Sequence, residues 1–63
     1  MKYYIITAIT NKNFDVGVMS GKNKEEAIRK CRDLCIHERY VPIHVTRISK
    51  KYFDFVTSLN QED

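Results

Sequence analysis

The chain has 63 residues, 43% of them hydrophobic, 30% charged and 11% aromatic, with two glycines, one proline and a net charge of +3. That composition belongs to a folded domain and excludes a disordered or low-complexity chain, which would carry fewer aromatic and β-branched residues. The length allows one domain, 1–63, burying about 60% of its unfolded surface; such a core hardly surrounds a catalytic cavity of roughly 300–1,000 Å³.

No small-residue cleavage site follows the short apolar run at the start, and no run approaches the roughly 18 apolar residues of a membrane span. The expected setting is the cytoplasm, or that of a host cell if the chain is viral, with no membrane partner. Two cysteines do not make a disulfide framework there.

Residues 2–10, KYYIITAIT, read as a first strand. Tyr3, Ile5 and Ile9 alternate with Tyr4, Ile6 and Ala8, so both faces are apolar and either could be the covered one. Asn11, Lys12 and Asn13 form a turn. Phe14, Val16 and Val18 then alternate with Asp15 and Gly17 in a second strand, residues 14–20, where Gly17 signals a bulge or a close backbone approach.

Asn23 is an N-cap and Glu26 follows three residues later, as in a capping box. From Lys24 to about Arg39 the spacing of Ala27, Ile28, Cys31, Leu34 and Cys35 gives one apolar helical stripe. Glu25–Arg29, Glu26–Lys30 and Asp33–His37 stand at i, i+4 on the outer face. Pro42 disfavours helical angles at Val41 and closes the helix. Residues 43–49, IHVTRIS, read as a third strand, SKK as a turn, and residues 52–56, YFDFV, as a fourth strand with Phe53 and Phe55 facing the helix. Residues 58–63 read as a frayed tail. The expected fold is α+β: a small antiparallel sheet with one helix packed on one face, in the order β-β-α-β-β, or β-β-α-β with an extended C-terminal segment.

The stretch KYFDFV resembles the RNP1 strand of RNA-recognition motifs, in which aromatics stack on bases. Lys51, Phe53, Phe55 and Val56 match that pattern. Tyr52 and Asp54 stand where the family has glycine or alanine, and Ser58 where it has an aromatic. Arg47, Lys50, Lys51 and Tyr52 are accordingly a candidate nucleic-acid contact; the simpler reading is a core strand ending a solvated turn.

Cys31 and Cys35 at i, i+4 could begin a metal site or, with His44, a nucleophile pair. A zinc site needs two further ligands, and His37 projects away from the cysteine face. A reactive thiol needs a polar setting, whereas the stripe is apolar; the cysteines read as small core hydrophobes. No catalytic residue, metal or cofactor is expected. Ile36 projects onto the charged outer face with Tyr40 beside it and Arg29, Arg32 and Arg39 around them. Tyr and Arg are favoured interface anchors, so these five form a candidate partner-binding patch. The second apolar sheet face also calls for cover, which a second copy or a larger protein would supply through that face or an edge strand.

MKYYI and NKEEAIRK resemble the β-β-α openings of small phage, prophage and plasmid proteins, including the N-terminal unit of HicB-type antitoxins. The Pro-Gly-rich segment that precedes the helix in that antitoxin family is absent here. The resemblance implies an accessory protein of a mobile element or virus. The function expected is a non-enzymatic protein-binding module that inhibits or modulates a larger host macromolecule, with nucleic-acid binding as the alternative.

Overall fold

The structure, a computed structural model, describes residues 1–35 and 38–60, Asn60 by its backbone alone. The elements run β1 (Lys2–Thr10), β2 (Phe14–Gly21), α1 (Lys24–Leu34), β3 (Tyr40–Ile48) and α2 (Lys50–Asn60). The three strands form one antiparallel sheet in the order β2-β1-β3. The protein is therefore a small α+β fold, and the described elements run in the order β-β-α-β-α.

The hairpin between β1 and β2 closes on Thr10. Its N–H donates to the Asn13 carbonyl at 2.8 Å, and its hydroxyl oxygen accepts from the N–H groups of Lys12 and Asn13. Among the described residues none stands at positive φ, so the left-handed capacity of Asn is not used. Pairing runs without interruption from Lys2↔Gly21 to Ile9↔Phe14. Gly17 thus lies in regular strand; the expected bulge is instead in β3, where Thr7 faces His44 and Ala8 faces Pro42, leaving Ile43 extra.

Alternation along β1 separates two faces. Tyr4, Ile6, Ala8 and Thr10 are buried. Ala27 of α1 is buried against Tyr4 and Ile6, with Met19, Ile28, Cys31, Tyr40 and Val45 around them. That settles which face α1 covers. Its start keeps the first bond of the expected capping box, the Asn23 Oδ1 accepting from the Glu26 N–H at 2.9 Å, while Glu26 reaches one residue further back, to the Lys22 N–H at 2.6 Å.

α1 ends at Leu34, short of the expected Arg39. Cys35 turns extended, at φ −74° and ψ 133°, and its N–H donates to the Arg32 carbonyl. The pairing of Thr10 with Tyr40 and Ile9 with Val41 pulls those residues into β3. Pro42 is accommodated because β3 is an edge strand. Leu34 loses its place on the stripe and is exposed.

The largest correction is at the C-terminus. Residues 52–56 are helical, and Ser58 to Asn60 continue the helix where a frayed tail was expected; residues 61–63 lie outside the described residues. Ser49 caps α2: its carbonyl accepts from Phe53 N–H at 3.0 Å and its Oγ from Tyr52 N–H at 3.1 Å. Phe53, Val56 and Thr57 are its half-buried residues, and their i, i+3, i+4 spacing puts them on one side of the helix. Phe53 meets Tyr3 with ring centroids 4.7 Å apart. Tyr3 alternates with buried Tyr4, so α2 covers the second sheet face at its Tyr3 end.

Candidate functional site

The α1 face holds the chain's candidate nucleophiles, and its chemistry is quiet. Neither cysteine is in a disulfide. Burial pushes the Cys31 thiol above its ordinary value, against the hydrogen bond it shares with the Tyr40 hydroxyl. Tyr40 is itself pushed up, first by burial and then by that bond. A thiol protonated at neutral pH is a poor nucleophile and a poor metal ligand. His44 faces Thr7 on the opposite side of the sheet, with its Nε2 2.8 Å from the Thr46 hydroxyl. The Cys–His pairing is not formed. Among the described residues no three His, Cys, Asp or Glu groups converge as a metal site would require. An open depression of about 400 Å³ lies beside the hairpin, between Phe14 and Leu34.

The expected partner-binding patch is not assembled. Arg29 and Arg32 are exposed on α1 and Arg39 is exposed in the connection to β3. Tyr40, however, begins β3 and turns half-buried toward Cys31. It leaves the outer face because the helix stops before it. Ile36 and His37 lie outside the described residues.

The expected nucleic-acid contact is rearranged. Arg47 is exposed on β3, opposite Tyr4. Lys50, Lys51 and Tyr52 occupy the first turn of α2, so Phe53 and Phe55 lie on a helix and not on an RNP1-like strand. Lys50 pairs with Asp54 at 2.9 Å, which raises its pKa through that hydrogen bond. Half of the twin-lysine charge is thereby matched within the helix.

What the sequence reading missed is the outer side of α2. Tyr52, Phe55 and Leu59 stand at i, i+3, i+7, and all are exposed, Phe55 by 59% and Leu59 by 61%. That spacing makes one continuous ridge on a helix surface. On the sheet face shared with α2, Ile9, Val41, Phe14 and Val16 are exposed too, the last two by 65% and 60%. The spacing was present in the sequence, but so was a five-residue alternation that suits a strand.

Compared with family models, curated proteins and solved structures, the chain matches none. No described helix is long and apolar enough to cross a membrane.

Proposed function

We infer that this is a non-enzymatic protein-binding module whose principal contact is the outer ridge of α2. The observation that carries this reading is the uncovered flank of the apolar face of an 11-residue helix: Phe53 and Val56 are half-buried, while Tyr52, Phe55 and Leu59, on the same broad arc, are exposed. An amphipathic surface helix of a small monomer turns its apolar stripe to the core. An exposed flank at i, i+3, i+7 is the pattern of a helix seated in an apolar groove of another protein. Tyr and Phe supply large contact area, and Lys51 stands at the polar rim. The partner is a larger cytoplasmic protein. The resemblance of the β-β-α opening to small phage and plasmid proteins supports a host macromolecule that the chain inhibits or modulates.

The test is a tagged pull-down with and without nuclease, using wild type, Phe55→Glu and a Lys50→Glu/Lys51→Glu double variant. A stoichiometric protein retained by wild type and the double variant, resistant to nuclease and lost with Phe55→Glu, is the expected result. Retention abolished by nuclease or by the lysine changes would overturn it and make Arg47, Lys50 and Lys51 a phosphate contact.

A further inference from the structure

The two sheet edges differ. β3 carries the devices that keep an edge from pairing with another chain: Pro42, the bulge at Ile43, and Arg47. β2, FDVGVMSG, carries none of them; its one charge is Asp15. The hairpin fixes which of its main-chain groups point outward. Thr10 and Asn13 form the closing hydrogen-bonded pair, and bonded and non-bonded pairs alternate from there. Phe14, Val16, Val18 and Ser20 therefore turn their N–H and C=O away from β1. Two contacts agree with this. The Phe14 N–H donates to the Oδ1 of the preceding residue, Asn13, at 2.8 Å, and the Ser20 carbonyl accepts from Lys30 Nζ at 3.0 Å. The ends of the edge are thus occupied, and its middle, Val16 and Val18, is open.

We propose that β2 pairs antiparallel with β2 of a second copy about a two-fold axis through Gly17, joining two three-stranded sheets into one. In this register Val16 and Val18 pair with Val18 and Val16 of the other copy. Each pair exchanges both main-chain bonds, because outward groups meet outward groups. Gly17 meets Gly17 at the axis, where a side chain on either residue would meet nothing within 4 Å of its own chain. The space directly above Gly17 on its own chain is open. Charge selects the register. Asp15 lies opposite Met19 of the other copy, next to the Ser20 carbonyl that holds the Lys30 ammonium. Asp15 makes no ion pair with its own described residues, and the two-fold gives it a cation. Sliding the axis to Asp15 would set two carboxylates against each other, a destabilising pair. The exposed Phe14 comes to lie beside Ser20 of the other copy, at the Tyr3 end that α2 covers. This inference concerns the main chain of β2 and is independent of the ridge on α2.

The test has two parts on the full chain. Wild type is expected to sediment as a dimer that dissociates on dilution. Val16→Pro removes an outward N–H without touching the β1–β2 bonds. It is expected to weaken the dimer about thirtyfold, from the two bonds lost across the two-fold, with unchanged circular dichroism. Gly17→Cys places two thiols on a non-bonded pair with Cα atoms about 4.5 Å apart, within disulfide reach. Mild oxidation of that variant is expected to give a dimer whose peptide map shows position 17 of one copy joined to position 17 of the other. A wild type that stays monomeric at all concentrations would overturn the proposal. So would a dimer indifferent to Val16→Pro, or a crosslink that runs from position 17 to Cys31 or Cys35.

Discussion

Asn23 and Glu26 show what a single side chain contributes here. Asn23 satisfies the Glu26 N–H, which the start of α1 leaves without a helical partner, and Glu26 satisfies the Lys22 N–H just ahead of the cap. Asn23→Ala should destabilise the protein by about 1 kcal/mol, seen as a lower denaturation midpoint. The Glu26 carboxylate is held below its ordinary value of 4.5, chiefly by the bond from the Lys22 N–H. A carboxylate with a depressed folded pKa contributes stability that is present above its unfolded value and lost as pH falls through the folded one. Wild type should therefore exceed Glu26→Gln in stability at neutral pH, and the gap should close below the ordinary value. Urea melts of both proteins across that range check this; a gap that widens on acidification would show that the carboxylate is not the group at work. Both residues were legible in the sequence, because a capping box is a local motif with a local cause.

At the scale of elements, legibility follows how local the deciding forces are. β1, β2 and the start of α1 were readable from alternation, turn residues and the cap. The far end of α1 was not, because it is set by long-range pairing of Tyr40 and Val41 with β1. YFDFV satisfied both a period of 2 and a period near 3.6, and five residues cannot separate them. The Ser49 cap, the Lys50–Asp54 pair and the docking of Phe53 on Tyr3 decide for a helix. That decision moves the candidate site from a basic hairpin to an apolar helix ridge. It also predicts an asymmetry that a strand would not show. Phe53 is half-buried under Tyr3, so Phe53→Ala should cost about 2–3 kcal/mol, at or below the lower bound for a fully buried aromatic. Phe55→Ala should change stability by no more than about 0.5 kcal/mol. On a strand with both rings facing the core the two variants would be equally damaging. Thermal melts distinguish the cases, since about 1 kcal/mol moves the midpoint of a domain this size by roughly 4–8 °C.

The whole molecule rests on few side chains. Among the described residues the buried apolar ones are Tyr4, Ile6, Ala8 and Ala27, and Ile6 is the one large side chain among them that is fully enclosed. A domain of this length has a total stability of about 3–9 kcal/mol at 0.05–0.15 kcal/mol per residue. One core position can therefore be a large share of it. Ile6 and Ile9 are identical in type, three residues apart on one strand, and equally eligible for the core in sequence. The structure separates them by face: Ile6 lies beneath Ala27, and Ile9 is exposed on the other side. Ile6→Val should cost about 0.5–1.5 kcal/mol and leave a cooperative transition. Ile6→Ala should cost about 2–5 kcal/mol and leave a substantial fraction unfolded without denaturant. Ile9→Ala should stay within about 0.5 kcal/mol of wild type. Urea unfolding of the four proteins side by side tests which face of β1 is the core. A large loss at Ile9 with little at Ile6 would place α1 on the wrong side of the sheet.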